Sequence, residues 1–232
     1  MAGHAGDQLR LVIEIVDGAA ASIRTPAMTR VYAMPGCGAA TSDVDLRVRA
    51  GGYLEYLPAP TLVCRDAALR EETRVDIDSE AHAAVGEVWA FGRVAYGELH
   101  AYRELNVRTA LRRGGTLVLA DALVLEPAEE APEPTVGRYA AYGTLTLAGP
   151  RIDAAFLASM RRQLDHGSRQ ILAGASMLSC DGGVGVRVLG TSANSVHTTL
   201  EGLISEFRHY VLDASRLPIT ANSTAHAYGG VT

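Results

Sequence analysis

Apolar and polar side chains alternate along most of residues 9–149, and this period of two constrains the fold more than any other feature. Residues 43–49 alternate without interruption, and 75–78 and 105–108 repeat the pattern over shorter stretches. Such alternation is typical of half-buried antiparallel strands, which turn one face to a core and the other to water. Turn signals at short intervals separate the segments and indicate many short strands. The predicted strands are 9–15, 21–34, 43–49, 52–57, 61–65, 75–78, 83–91, 99–104, 105–108, 117–125 and 138–147.

Two helices are predicted after this strand-rich part. The first is 153–166, where Asp153 lies three residues after Pro150 and suits the N-cap position. The second is 195–212, where Thr198 and Glu201 have capping-box spacing. Between the helices, a pair of strands is expected around a glycine turn. The fold class is therefore mainly β, a two-layered, multi-stranded β-sheet body with two helices near the C-terminus.

The 232-residue chain is predicted to form a single β-rich domain over residues 1–217. The acidic, proline-rich stretch 126–134 has no periodicity, and we interpret it as a loop inserted between strands because strand-like sequence resumes at Arg138. The small and polar tail, 218–232, is expected to be disordered.

Hydrophobicity and charge limit the location of the chain and the kinds of partner that it can bind. Hydrophobic residues make up 48% of the chain, but no apolar run approaches the roughly 18 residues that a membrane helix needs. The first residues have neither a basic nor an apolar region typical of a signal peptide, so a cytoplasmic protein is expected. The net charge is −5, with acids and bases interspersed. This argues against nucleic acid or an anionic membrane as the main partner, since both attract a basic face.

Lysine is absent, and all 21 basic residues are arginine. P-loop NTPases need a lysine on the phosphates, and Schiff-base enzymes need one as the nucleophile. Protein kinases of the usual type also need a strand lysine. These three classes of enzyme are therefore excluded.

Motifs of metal and nucleophilic catalysis are also missing. The sequence contains no HExxH, GxSxG or H-x-H, and no two of its seven histidines lie at metal-ligand spacing on one predicted element. Cys37, Cys64 and Cys180 form no CxxC pair and are expected to be reduced, buried thiols. No enzymatic activity and no tightly bound cofactor are predicted.

Four carboxylates lie within apolar strand sequence and are the candidate site residues. They are Glu55, Glu87, Glu98 and Asp121. A buried and unpaired carboxylate is costly, by several kcal/mol before relaxation or protonation. Each must therefore face solvent, pair with an arginine such as Arg93, or line a wet cavity. In the last case the oxygens would suit a weakly bound divalent cation.

Three segments, in order along the chain, carry a resemblance to a known family: Leu54-Glu-Tyr-Leu-Pro58, Glu87-Val-Trp-Ala-Phe-Gly-Arg93 and Gly97-Glu98. They resemble the urease accessory protein UreD (UreH) family, which typically shows L-E-[WY]-L-P, then G-R, then G-E. Further similar segments are 6–9, 25–32 and 189–218. The likeness covers nearly the whole chain.

The sequence departs from the family pattern in three places. The chain begins well inside the usual N-terminal part of the family, so one or more N-terminal strands are expected to be missing. Ala59-Pro60 follows the first motif where the family commonly has glutamine and then aspartate or proline. Ile219-Thr220 stands where a basic residue usually follows the last proline.

The resemblance implies a non-enzymatic scaffold and nickel chaperone of urease maturation. Such a protein docks on the urease apoprotein and forms a complex with accessory protein F and the GTPase accessory protein G. GTP hydrolysis by protein G would release Ni²⁺, which would travel transiently through an internal wet passage to the urease active site. By position, Glu87 and Asp121 match acidic residues of that passage. Glu55 and Glu98 lie within the motifs themselves and are the other two candidate nickel contacts.

Two other hypotheses stay open. One is a β-sandwich metalloenzyme with a Glu/His metal cluster assembled from separate strands, which would hold a metal tightly and show activity. The other is a purely structural β-rich adaptor, which needs no buried carboxylate.

Overall fold

The computed structural model describes residues 2–3, 6–34, 36, 38–165 and 170–215. Its strands are β1 (Ala2–Gly3), β2 (Gln8–Ile15), β3 (Ala20–Ile23), β4 (Thr29–Val31), β5 (Ala40–Val48), β6 (Tyr53–Tyr56), β7 (Thr61–Val63), β8 (Ala68–Ile77), β9 (His82–Ala90), β10 (Glu104–Arg113), β11 (Thr116–Leu125), β12 (Ala141–Ala148), β13 (Ile171–Met177) and β14 (Val184–Gly190). Its helices are α1 (Glu133–Val136), α2 (Ala154–Asp165) and α3 (Ala193–Ser215), with short 3-10 turns at Val94–Tyr96 and Ser179–Asp181.

The strands form two sheets, as the mainly β, two-layered class predicts. The five-stranded sheet has the order β11-β10-β8-β5-β2. The nine-stranded sheet has the order β1-β4-β7-β9-β12-β14-β13, with β6 also beside β9 and β3 beside β6. The chain runs from one sheet to the other and back, so that Thr41 comes to lie beside Gln8 and Arg70 beside Thr41.

The expectation of antiparallel strands is wrong for most of the first ten strands. β2, β5, β8 and β10 are parallel neighbours in the five-stranded sheet, and β3, β6 and β9 are parallel neighbours in the other. The reason is that the chain visits the opposite sheet before it returns, which supplies the long crossover that a parallel pair requires. Antiparallel pairing is found for β10 with β11, and for β12 with both β9 and β14.

On the outer face of the five-stranded sheet, the polar positions of the alternating pattern place opposite charges side by side on neighbouring parallel strands. Neighbouring strands place Asp45 beside Arg74 and Arg47 beside Asp76, so opposite charges adjoin across the sheet. Arg74 Nη1 lies 3.5 Å from an Asp45 oxygen. Complementary cross-strand charges of this kind favour one register over its neighbours.

The two predicted helices near the C-terminus are confirmed. They pack on the outer face of the nine-stranded sheet, where Phe156 and Met160 of α2 meet Leu200 and Phe207 of α3 in an apolar layer. Asp153 caps α2, since its carboxylate accepts the backbone N–H of Phe156 at 2.9 Å.

The second helix begins earlier than predicted. Ser192 caps it by accepting the Ser195 backbone N–H at 3.1 Å, so Thr198 and Glu201 lie inside the helix rather than at its start. The helix extends to Ser215, beyond the predicted residue 212.

Smaller differences concern loops and cysteines. The predicted strand 21–34 is divided into β3 and β4, and strand structure begins at Glu104 rather than at residue 99. The loop 126–134 is irregular as expected until α1 begins. Cys64 is buried but Cys180 is exposed, which corrects the expectation of a buried thiol. Cys37, the end of the first predicted helix at 166 and the tail 218–232 lie outside the described residues.

The space between the two sheets holds two apolar clusters rather than one. The first cluster contains Trp89, Leu105 and Tyr142, and the second contains Val75 and Leu111. Six strands contribute apolar residues to one or both clusters. Each of them also carries one or two polar residues between the two clusters; these strands are β5, β8, β9, β10, β11 and β12. No helix in the described part of the chain is long and apolar enough to cross a membrane.

Candidate functional site

A line of polar side chains separates the two apolar clusters between the sheets. In the nine-stranded sheet, Glu87 lies beside Thr144 and Thr144 beside Arg187 on adjacent strands. In the five-stranded sheet, Thr73 lies beside Thr109 and Thr109 beside Asp121. Because side chains alternate between the faces of a strand, the two lines face each other. We call these six residues the polar row: Thr73, Glu87, Thr109, Asp121, Thr144 and Arg187.

The inner end of the polar row carries two neighbouring carboxylates. Glu87 is 5% exposed, and its Oε1 accepts a hydrogen bond from the Thr73 hydroxyl at 2.8 Å. The half-buried Glu71, on β8, accepts the indole N–H of Trp89 at 2.9 Å and a hydrogen bond from Ser42. Among the described residues, neither carboxylate forms an ion pair with an arginine.

Burial without a counter-charge changes the acidity of this pair. Burial and the adjacent Glu71 carboxylate raise the pKa of Glu87 to about 8, and the hydrogen bond from Thr73 offsets only part of the change. Burial also raises the pKa of Glu71, against the hydrogen bonds from Trp89 and Ser42. Two like charges so close together oppose each other's ionisation, so the pair binds a proton more tightly than two separate carboxylates would.

The outer end of the polar row opens into a surface cleft of about 490 Å³. Arg187 spans the space between the sheets there, with its Nη2 2.5 Å from Asp121 Oδ1. Burial and the Asp121 charge raise the pKa of Tyr142, at the side of the cleft, to about 12, while Arg187 acts in the opposite direction. The Tyr142 ring stacks on Trp89 with 5.9 Å between centroids. Since Trp89 donates to Glu71, a chain of direct contacts connects the cleft to the buried carboxylates.

Glu55 lies on the other face of the nine-stranded sheet and is surrounded by donors. It is 1% exposed, and Arg208 of α3 donates to both of its oxygens at 2.6 and 2.7 Å. Tyr53 donates at 2.7 Å, Ser22 at 3.0 Å and Arg24 at 3.4 Å. Burial alone would raise the pKa of Glu55, but the hydrogen bonds from Arg208 and Tyr53 outweigh it and lower the pKa.

Glu98 lies at the end of a turn that follows β9. Arg93 donates to both of its oxygens at 2.6 and 2.7 Å, and Arg65 lies 3.7 Å away. The hydrogen bonds from Arg93 lower the pKa of Glu98. This carboxylate is therefore held in an ion pair with the arginine that ends the preceding motif.

Comparison with known proteins places the chain in a family. The family model described as UreD urease accessory protein matches residues 3–221. The chain belongs to the UreD family. The urease accessory protein UreD of Haloarcula marismortui is 33% identical over 212 residues, covering 90% of this chain and 70% of the relative. The UreD proteins of Sorangium cellulosum and Haloquadratum walsbyi are 33% and 31% identical, and the matches cover 86% and 89% of this chain.

This UreD-family chain spans about two thirds of the length of those relatives, with 70%, 64% and 68% of the three proteins covered. The resemblance read from the motifs is confirmed by the family match.

Among the four residues predicted from the UreD-like motifs and apolar strands, the fold brings two together. Glu87 and Asp121 lie on the same polar row, at its inner and outer ends. Glu55 is on the helix side of the sheet and Glu98 is beyond the end of β9, so neither joins them. Within the described residues, no three His, Cys, Asp or Glu side chains group closely enough to hold a metal ion.

Sequence reasoning missed Glu71, because the predicted strand began at residue 75 whereas β8 begins at Ala68. A signal was nevertheless present. Glu71 has the same strand parity as Leu69, Thr73 and Val75, all of which are buried. Parity within a strand therefore identifies an inward-facing carboxylate even where its neighbours along the chain are charged.

Proposed function

We propose that the chain is a non-catalytic scaffold of urease maturation that acts in the cytoplasm. It docks on the urease apoprotein with accessory proteins F and G, and Ni²⁺ passes along its polar row during GTP-dependent insertion. Membership of the UreD family supports the role in urease maturation. The observation that carries the nickel route is the inner end of the polar row, because Glu87 and the neighbouring Glu71 have no arginine partner among the described residues.

The chemistry of Glu71 and Glu87 suits a transient cation. Carboxylate oxygens bind divalent first-row metals, and a site with two ligands from the protein binds them weakly. An arriving dication displaces a proton bound by either carboxylate and offsets the repulsion between them, so cation entry is coupled to proton release. A passage must release its cargo, and this site holds few ligands that would retain it.

The other candidates differ in how free their oxygens are. Asp121 is paired with Arg187, so a cation in the cleft must compete with a guanidinium for it. Arginines also occupy Glu55 and Glu98. We therefore assign the main contact to the inner pair, a secondary contact to Asp121, and structural roles to Glu55 and Glu98.

The test replaces the inner pair with its neutral isosteres, Glu71→Gln and Glu87→Gln together. Nickel per urease active site should fall at least about tenfold, because losing even a residue that orients a metal ligand typically lowers metal affinity or activity by about 10–100-fold. Near pH 7 the melting temperature should be no lower than that of the wild type, because the substitution keeps the shape of both side chains and removes the repulsion between two neighbouring carboxylates. Co-purification with urease apoprotein and protein F should be unchanged. Matched control substitutions are Glu129→Gln with Glu130→Gln, two exposed carboxylates in a loop.

Normal nickel loading by a stable, assembled double variant would contradict the route and favour a purely structural adaptor. The isolated wild-type chain should bind Ni²⁺ no tighter than about 1 µM, on the order of −8 kcal/mol. Tight stoichiometric binding with hydrolytic activity would instead support the metalloenzyme hypothesis.

A further inference from the structure

The cleft at the outer end of the polar row meets an ion pair on its inner side. Arg187 on β14 and Asp121 on β11 are the last residues of the row on their two sheets, and Thr144 and Thr109 are the next residues inward. A cation that moves from the cleft toward Glu87 therefore meets the Arg187 guanidinium first. Because the guanidinium is positively charged, it both fills the opening and repels the cation.

Hydrogen bonds to two residues hold the guanidinium across the gap between the sheets. Its Nη2 donates to Asp121 Oδ1 at 2.5 Å, and its Nε donates to Asp121 Oδ2 at 3.3 Å. Arg187 also forms a hydrogen bond with Tyr142 at the side of the cleft. The Asp121 side chain is 17% exposed, whereas that of Arg187 is 65% exposed. The carboxylate is therefore fixed within the row, while most of the arginine side chain faces water.

The neighbouring strand leaves room for this arginine to move. On β13, Gly174 lies beside Arg187 and lines the same cleft. A Cβ added at Gly174 would meet no atom of the described residues within 4 Å. Leu172, the next residue on that face, is 56% exposed and offers apolar surface to the methylene groups of an arginine. The Arg187 side chain thus has two places to lie, one across the gap on Asp121 and one along β13 over Gly174.

We propose that the Arg187–Asp121 ion pair is the gate of the polar row: Arg187 moves from Asp121 onto the surface over Gly174, and a divalent cation passes while it lies there. The inference rests on the nickel route of the proposed function and assigns the entrance of that route. Charge-assisted hydrogen bonds are strong enough to keep the open state at about a tenth of the molecules or fewer. Once released, Asp121 leaves a carboxylate at the opening that attracts the arriving cation.

Trp89 reports the arrival of a cation at the inner carboxylates without urease. It is the only tryptophan of the chain, and its indole N–H donates to Glu71 at 2.9 Å. Ni²⁺ has unpaired d electrons and quenches the fluorescence of an adjacent indole, whereas closed-shell Zn²⁺ does not. The experiment therefore mixes the full chain with Ni²⁺ in a stopped-flow instrument and follows Trp89 fluorescence. Zn²⁺ is the control for a change in conformation, and excess EDTA starts the release of Ni²⁺.

Removing the gate should accelerate uptake and release together. Arg187→Gln should raise both rates about tenfold, because the opening is then always accessible. The double variant Arg187→Gln with Asp121→Asn leaves the net charge unchanged and should still exceed the wild-type rates at least about fivefold. Gly174→Leu occupies the place that the open state needs and should lower both rates at least about fivefold.

The matched controls alter an arginine and a glycine away from the cleft. Arg10→Gln removes a side chain on β2 that is 75% exposed, and Gly202→Leu adds one on α3 where a Cβ also meets no described atom within 4 Å. Both should keep the wild-type rates within about twofold. Melting temperatures of all variants show whether each is folded.

Two patterns of rates would overturn the gate. Quenching of the wild type at rates that the Arg187 and Gly174 variants leave unchanged overturns it and leaves the nickel route standing, with its entrance elsewhere. Acceleration by Arg187→Gln that disappears in the double variant would come from attraction by the freed Asp121 carboxylate, and it also overturns the gate. If millimolar Ni²⁺ quenches Trp89 neither in the wild type nor in Arg187→Gln, the cation does not reach the inner carboxylates, and the nickel route and the gate both fail.

Discussion

Glu55 and Glu87 are both buried in the nine-stranded sheet, on its two opposite faces. Two arginines, a tyrosine and a serine surround Glu55, and its pKa is lowered. Glu87 has one threonine donor and a second carboxylate beside it, and its pKa is raised to about 8. The same residue type at similar burial thus has opposite electrostatic surroundings.

The difference separates a structural carboxylate from one available to a ligand. The oxygens of Glu55 are saturated, and they join α3 to the sheet through Arg208. The oxygens of Glu87 have no arginine partner among the described residues, so a proton or a cation stabilises them. Burial of a carboxylate is therefore not by itself a functional signal. The identity of its partners is.

The largest expected effect is on the Glu55 side. Arg208→Met leaves the buried Glu55 charge with Arg24, at 3.4 Å, as its remaining arginine, and the free energy of unfolding should fall by about 3–5 kcal/mol. Urea denaturation measures this. The double variant Glu55→Gln with Arg208→Met should lose less than Arg208→Met alone, because no charge is then left unpaired.

Arg10→Met is the control for the loss of an arginine. Arg10 is 75% exposed and 3.6 Å from Asp45, so its removal should change stability by no more than about 0.5 kcal/mol. Equal effects of the two substitutions would show that Glu55 does not depend on its counter-charge, and the comparison with Glu87 would fail.

The next effect is a pH dependence of opposite sign at the two sites. The pKa of Glu87 is raised in the folded state from 4.5 to about 8, so its contribution to stability is present below pH 4.5 and is lost as the pH rises through 8. Relative to Glu87→Gln, the wild type should lose about 3 kcal/mol between pH 5.5 and 8.

The pKa of Glu55 is lowered, so its contribution is present above pH 4.5 and is lost as the pH falls below that value. Relative to Glu55→Gln, the wild type should therefore lose stability on acidification. Denaturation midpoints measured across the pH range for both pairs test the signs. Curves that run parallel for variant and wild type would remove the electrostatic distinction.

The smallest effect concerns single hydroxyl donors. Thr73→Val removes the one described side-chain donor to Glu87 and should cost about 1 kcal/mol, with a further rise in the pKa of Glu87. Ser22→Ala removes one of several donors to Glu55 and should cost about 0.5 kcal/mol or less. Chemical denaturation gives the two costs, and the reverse order would show that the donors of Glu55 do not substitute for one another.

Much of the fold could be predicted from local patterns, but the direction of strand pairing could not. Period-two alternation reports that one face of a strand is buried, and it is the same in parallel and antiparallel sheets. Pairing follows from where the chain goes between strands, and here it visits the opposite sheet. The neighbouring opposite charges of Asp45 and Arg74 were visible in the sequence, but their relevance depends on a register that only the fold defines.

The same limit applies to the site. Asp121 and Glu87 could be found because apolar residues flank them in sequence. Glu55 could be found in the same way, yet its main partner, Arg208, is 153 residues away and no local pattern links them. Glu71 escaped notice because the predicted strand began at residue 75, whereas β8 begins at Ala68. An apolar or alternating sequence pattern indicates which side chains are buried, whereas the partners of a buried charge are not visible in the sequence.

The division of the inter-sheet core has a consequence for motion. Where two sheets are held by a continuous apolar layer, separating them exposes hydrocarbon to water at about 25 cal/mol for every Å². Along the polar row, a slight parting of the sheets instead exchanges protein hydrogen bonds for hydrogen bonds to water, at a small net cost. The two sheets should therefore separate slightly along the polar row and admit a small hydrated ion or molecule, while both apolar clusters stay packed.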